Sequence, residues 1–216
     1  MVDLRDARLY AIVDLNYVDH ARVTSTATKL LDGGVDVLQL RAKSRSVEEV
    51  AGIGKNLAAL MSERGVPFIV NDYATVARQL GADGVHVGQD DMSVAEARAQ
   101  IGADAVVGKS THSLAQAIAA ASEGADYIGF GPLFATPTKP DYKPIGLEGI
   151  AEAHQRVSIP IFCIGGIKLD NLGEVIEAGA RRVVIVSGLL QADNVAEAAR
   201  TAKALVNHKL KTENQK

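Results

Sequence analysis

Residues 102–130 read GADAVVGKSTHSLAQAIAAASEGADYIGF. A glycine, a small residue and an aspartate lead into the apolar run Ala105–Gly108. Polar residues follow, then the amphipathic, alanine-rich segment Ser113–Glu123. The same three-residue signal returns at Gly124-Ala125-Asp126 and leads into a second apolar run, Tyr127–Phe130. Short apolar runs without alternation are the pattern of parallel strands covered on both faces. A glycine at a helix end supplies the positive φ that such ends often adopt. The stretch therefore reads as strand, helix, strand.

The signal repeats outward from there, at Gly34-Val35-Asp36, Gly81-Ala82-Asp83 and Gly179-Ala180-Arg181. Strands are expected at Leu9–Val13, Val35–Leu40, Pro67–Asn71, Gly84–Val87, Ala105–Gly108, Tyr127–Phe130, Pro160–Ile164 and Val183–Val186. Helical character is clearest over Ser46–Arg64, Ser113–Glu123 and Asn194–Val206. Eight βα units in 216 residues point to a single-domain (β/α)8 TIM barrel, with a doubly wound open sheet as the alternative. Residues 1–207 are expected to form the barrel, and the polar end 208–216 (HKLKTENQK) a flexible tail.

Composition narrows the function. With 47% apolar residues the chain can bury a large core. Lys+Arg 23 against Asp+Glu 26 gives −3, against a basic nucleic-acid-binding surface. Aromatic residues at 4% and no Trp argue against base stacking. The start, MVDLRDARLYAIVD, has no apolar signal core, and no stretch approaches the ~18 apolar residues of a membrane span. The expectation is a soluble, cytoplasmic protein acting on small molecules; a homo-oligomer is compatible with the sequence. Cys163, the lone cysteine, reads as a small core residue.

In a barrel the chemistry sits at the C-terminal strand ends. Gln39, Arg41 and Lys43 alternate and share one face of an extended strand. Arg41 and Lys43 suit a polyanion such as a diphosphate, or are a solvated pair at a strand end. Asn71-Asp72 and Asp90-Asp91 offer hard oxygen ligands for magnesium, or helix-start acids. Lys109, Ser110 and Thr111 follow the fifth strand. The loop after the sixth holds Thr136-Pro137-Thr138-Lys139, which offers oxyanion donors on a proline-stiffened segment or merely connects. Gly165-Gly166 and Ser187-Gly188 follow strands seven and eight, where barrels commonly hold a phosphate; ordinary turn glycine is the alternative. His86 lies in a strand and His112 just after Ser110; either can face the pocket, with packing or solvation as the favoured state. No Ser/His/Asp or Cys/His nucleophile arrangement is visible.

QLRAK at 39–43, VND at 70–72, GVHVGQDD at 84–91, GKSTHS at 108–113, GPLFATPTK at 131–139, IGGI at 164–167 and VSG at 186–188 occur in order. This ordered set resembles the thiamine phosphate synthase family over nearly the whole chain, from Leu9 to about Val206. The resemblance implies a (β/α)8 barrel that joins 4-amino-5-hydroxymethyl-2-methylpyrimidine diphosphate to hydroxyethylthiazole phosphate with magnesium, releasing diphosphate. It implies that Gln39, Leu40, Arg41, Ala42, Lys43, Asn71, Ser110 and Lys139 bind the pyrimidine diphosphate. Of these, Arg41, Lys43, Ser110 and Lys139 would act in catalysis. Asp72 and Asp91 would hold Mg2+; Thr136, Pro137, Thr138, Gly166, Val186 and Ser187 would bind the thiazole phosphate. Tyr73 stands where the family more often has arginine, and Phe162-Cys163 where small aliphatics are usual. A thiazole tautomerase on the same barrel, another phosphate-binding barrel enzyme and a metabolite sensor are the rival readings.

Overall fold

The structure, a computed structural model, describes residues 2–43, 45–136 and 143–213. Strands and helices alternate. The first half comprises β1 (Leu9–Asp14), α1 (Val23–Asp32), β2 (Val37–Arg41), α2 (Val47–Arg64), β3 (Phe68–Asn71), α3 (Ala74–Leu80), β4 (Gly84–Val87) and α4 (Val94–Ile101). The second comprises β5 (Val106–Thr111), α5 (Leu114–Ser122), β6 (Tyr127–Phe130), α6 (Ile150–Arg156), β7 (Ile161–Ile164), α7 (Leu172–Glu177), β8 (Val183–Ile185), α8 (Ser187–Leu190) and α9 (Val195–Glu213). The eight strands pair in chain order, all parallel, and β8 closes on β1 through Leu9 opposite Val183. The barrel expected from the repeated units is thus the one observed, and an open sheet is excluded.

Strand alternation separates two apolar layers. Leu9, Leu38, Leu40, Val70, Val85, Val107, Ile128 and Cys163 face outward and pack under the helices. Tyr10, Val37, Ile69, Val106, Tyr127, Phe162 and Val184 face inward and fill the barrel. Phe162 meets Tyr10 and Tyr127 edge-on, with ring centroids 5.4 and 5.7 Å away. The aromatic residue that departs from the usual small aliphatics thus helps build the floor beneath the rim.

The joints explain their own repetition. Gly34, Gly81, Gly102, Gly124 and Gly179 all have positive φ. At three of these joints the aspartate that follows accepts backbone N–H groups at or beside the start of the preceding strand. Asp36 accepts from Arg8 and Leu9 at 2.7 and 2.9 Å, Asp83 from Phe68 at 2.8 Å, and Asp126 from Val107 at 2.7 Å. At these three joints a βα unit is stapled to the start of the strand before it.

Several boundaries shift from the sequence reading, and two have a clear reason. β2 begins at Val37, because Asp36 is occupied as such a staple. β5 runs on to Thr111, since Lys109, Ser110 and Thr111 pair in register with Ile128, Gly129 and Phe130. The last helix continues through His208 to Glu213, so the expected start of the tail falls inside it. Among the described residues no helix is long and apolar enough to cross a membrane.

Candidate active site

At the C-terminal rim a cavity of about 90 Å³ opens, and residues from β1 to β8 line it. Its lining includes Gln39, Arg41, Asn71, Ser110, Thr136, Gly166, Val186 and Ser187, all singled out from sequence. Lys43, Asp72 and Asp91 stand beside it on the same side of the rim. Leu40 and Ala42 point the other way, into the layer between barrel and helices, and are fully buried there. Alternation requires this: if Gln39 and Arg41 face inward, Leu40 and Ala42 face outward. Only their backbone can contribute to a ligand. Pro137, Thr138 and Lys139 lie outside the described residues.

The β1–β4 side is charged and interlocked. Arg41 is 6% exposed and pairs with Asp14, 1% exposed, at 2.5 Å. Asp14 also accepts the backbone N–H of Asn16 at 2.9 Å. Asp14 was not singled out from sequence, yet it lies two residues after Ile12 on the inward face, the period that exposed Gln39 and Arg41. Lys43 reaches Asp72 at 3.8 Å and remains half exposed. Asp72 adopts a left-handed backbone, φ 66°, as Asn and Asp do more readily than other residues. Its N–H donates to the His86 carbonyl at 2.9 Å. Tyr73 sends its hydroxyl to the Arg45 carbonyl at 2.8 Å and so braces the loops after β2 and β3.

Asp72 and Asp91 meet side by side. Burial and the neighbouring Asp91 carboxylate push the Asp72 carboxyl up to about 6, while Lys43 and Arg41 oppose the rise. Two carboxylates that resist being charged together suit a divalent cation. Magnesium takes one or two carboxylates and completes its shell with water and phosphate oxygens, so this donor set fits it. Among the described residues no group of three or more His, Cys, Asp or Glu is placed to hold a metal. Of the two adjacent acids, it is Asp91 that meets Asp72. Asp91 also accepts the Gly88 N–H at 2.7 Å, which shapes its loop. Lys109 points outward and ties down that loop through the Gly88 carbonyl at 2.7 Å.

The β6–β8 side is made of backbone. Gly165 and Gly166 have φ of 103° and 69°. A Cβ on Gly166 would lie 2.7 Å from the Phe134 Cβ, and one on Gly165 2.3 Å from the Pro132 Cα. The loops after β6 and β7 therefore press together, held further by the Phe134 N–H donating to the Gly165 carbonyl at 3.0 Å. Ser187 opens the single-turn helix α8 directly after β8. The unpaired N–H groups of a first helical turn favour an anion.

The floor between these sides is polar and buried. His86 lines the cavity, contrary to the packed or solvated state expected for it. Its ring bonds Ser110 Oγ at 3.0 Å and the Tyr127 hydroxyl at 3.1 Å. His112 also lines the cavity, with Nδ1 on the Gly131 carbonyl. The inward period of β4 and the short step past β5 were the signals for both.

Comparison with known proteins agrees with this geometry. The family described as thiamine monophosphate synthase matches residues 9–189. The chain is 45% identical over 203 residues to a thiamine-phosphate synthase of Chloroflexus aurantiacus, covering 94% of both chains. It is 41% identical over 202 residues to one of Shouchella clausii, covering 93% of this chain and 97% of that one. Among solved structures it resembles a thiamine phosphate pyrophosphorylase from Pyrococcus furiosus, with a TM-score of 0.87 and 34% identity. That match covers 94% of this chain and 97% of the other.

Proposed function

The chain belongs to the thiamine monophosphate synthase family and is a transferase, and from that premise we propose the reaction it catalyses. It joins 4-amino-5-hydroxymethyl-2-methylpyrimidine diphosphate to hydroxyethylthiazole phosphate, giving thiamine monophosphate and diphosphate. The observation that carries this reading is one cavity flanked by two unlike anion sites. Charged side chains flank it at β2–β4; glycine backbone and hydroxyls flank it at β6–β8. A reaction between two phosphorylated partners needs both.

The bond between the pyrimidine methylene and the diphosphate oxygen breaks, and the diphosphate keeps the electron pair. The thiazole nitrogen lone pair forms the new C–N bond. No proton has to be removed, so no general base is required. Arg41 and Lys43 bind the leaving diphosphate and hold the charge that develops on it. Asp72 and Asp91 would hold magnesium, which when bound neutralises diphosphate charge. Gln39 lines the cavity floor beneath the pyrimidine. Gly166, Thr136 and Ser187 hold the thiazole phosphate, with Val186 beside them. Catalysis then consists of alignment and charge stabilisation. A thiazole tautomerase has no use for a diphosphate site, and the Arg41, Lys43, Asp72 and Asp91 cluster weighs against it.

The test is an end-point assay of purified protein with both substrates and magnesium, with and without chelator. Thiamine phosphate and diphosphate formed in equal amounts, and lost with chelator, are the expected result. Thiazole phosphate binding without product would overturn the reading in favour of a tautomerase or a sensor.

A further inference from the structure

We propose that a one-way chain of hydrogen bonds, Gln39 to Tyr10 to Tyr127 to His86 to Ser110, positions Ser110 as a hydrogen-bond donor to the cavity and holds His86 as its neutral Nε2–H tautomer. This rests on the reading above in which Ser110 faces the pyrimidine diphosphate.

Polarity follows from the one member that can act in a single sense. Gln39 Nε2 is a donor only and lies 2.7 Å from the Tyr10 hydroxyl oxygen. Tyr10 therefore accepts there and has its own proton to give to the Tyr127 hydroxyl, 3.1 Å away. Tyr127 in turn has its proton to give to His86 Nδ1, also at 3.1 Å. A neutral imidazole carries one N–H, so with Nδ1 accepting, the proton is on Nε2. That N–H donates to Ser110 Oγ at 3.0 Å. Ser110 accepts from below, and its hydroxyl proton is left for the cavity above.

Three features hold the chain in this sense. Reversing it would require the Gln39 amide to be turned over. Two N–H protons would then be buried at the position where the carbonyl oxygen now lacks a partner, and an orphaned buried donor is the rarer and costlier state. A cavity of about 30 Å³ beside Gln39, Tyr10 and Tyr127 has room for a water at that oxygen. Burial holds both tyrosine hydroxyls well above the usual phenol range, so both keep their protons. Space for the chain is reserved in the backbone: a Cβ on Gly108 would lie 2.1 Å from the Tyr127 ring.

The chain changes the reading of the Ser110–His86 contact. By distance alone it resembles a nucleophile and its base. With the proton already on Nε2, His86 has no lone pair to take one from Ser110. Ser110 acts as a donor to an acceptor atom of the bound diphosphate ester, and His86, Tyr127 and Tyr10 are positioning residues behind it.

The experiment uses the full chain labelled with ¹⁵N-histidine, without substrate. Long-range ¹H–¹⁵N correlation reads the tautomer of His86, whose signal is identified by its loss in His86→Gln. Nε2–H is expected in the wild type. Tyr127→Phe, which keeps the ring in place, should allow the Nδ1–H form to appear. Steady-state kinetics supply the second readout. His86→Leu should lower kcat about tenfold to a hundredfold, the scale of a misplaced reacting group, with KM for the thiazole phosphate little changed. His86→Gln retains an amide N–H for Ser110 and should recover most of the rate. Nδ1–H in the wild type, or His86→Gln as slow as a folded His86→Leu, overturns the proposal. If His86→Leu does not fold, an unchanged kcat in Tyr127→Phe overturns it. A wild-type protein that makes no thiamine phosphate would sink the reaction assigned above, while the tautomer of the unliganded protein would still decide the chain.

Discussion

The two sides of the rim hold negative charge by opposite means. On the β2–β4 side the anion meets long charged side chains, each already engaged: Arg41 with Asp14, Lys43 with Asp72, Asp72 with Asp91. On the β6–β8 side the counterparts are glycines with positive φ, a serine and a single helical turn. The first is an electrostatic network whose members offset one another, so removing one member unbalances the rest. The second is a matter of shape, where backbone approaches a ligand only because no Cβ intervenes. The charged side should therefore be fragile to lost charge and the glycine side to added volume.

Arg41→Ala is expected to have the largest effect. It strands Asp14 in the barrel, and breaking a buried pair costs about 3–5 kcal/mol of stability. Denaturant unfolding measures this, and turnover of the pyrimidine diphosphate should fall with it. The double variant Arg41→Met with Asp14→Asn should recover stability without recovering activity; recovered activity would make Arg41 structural. Gly166→Ala comes next. Its Cβ would lie 2.9 Å from the Ala135 carbonyl oxygen at a φ of 69°. Overpacking of about 1–3 kcal/mol at the site should raise KM for the thiazole phosphate about tenfold or more and leave the magnesium requirement unchanged. Asp72→Asn should raise the half-saturating magnesium concentration about tenfold, or about 1.4 kcal/mol, with rate restored by excess magnesium. A response in thiazole phosphate KM instead would dissolve the distinction between the sides. Ser187→Ala removes about 1 kcal/mol of hydrogen bonding and should raise KM for the thiazole phosphate about fivefold, with that for the pyrimidine diphosphate unmoved. The smallest expected effect is none. Burial pushes the Cys163 thiol up to about 12, so thiolate is scarce at pH 8 and the native protein should resist alkylation there. Rapid labelling would mean that β7, just below the glycine loop, opens.

The charged side was the more legible from sequence, and the reason is local. Gln39, Arg41 and Lys43 lie within one strand and its exit, and a period of two shows their shared face without any knowledge of neighbours. Asp72, Asp91, Gly166 and Ser187 follow once strand order is known, since all stand just past strand ends. Asp14 and Tyr127 were passed over, and His86 was read as packed or solvated, because their roles depend on what lies across the barrel. Tyr127 is 117 residues from Tyr10 and 41 from His86, and nothing near Tyr127 in the chain marks it as polar machinery. The same limit applied in reverse to Leu40 and Ala42. They sit inside the most specific motif, but the pleat turns their side chains away from the ligand. The joints at Asp36, Asp83 and Asp126 were visible as a repeat, whereas their purpose needed the neighbouring strand in place.

Those joints bear on the order in which the chain can assemble. Each staple spans a short length of sequence: 15 residues from Phe68 to Asp83, 19 from Val107 to Asp126, 28 from Arg8 to Asp36. Short loops close quickly and at little entropic cost. A nascent chain emerging N-terminus first can thus secure β1, β3 and β5 as soon as the following joint has been synthesised. The seam of β1 with β8 is different, because there Leu9 waits for Val183. Until then β1 is an open edge, exposed for as long as translation takes to cross the rest of the barrel.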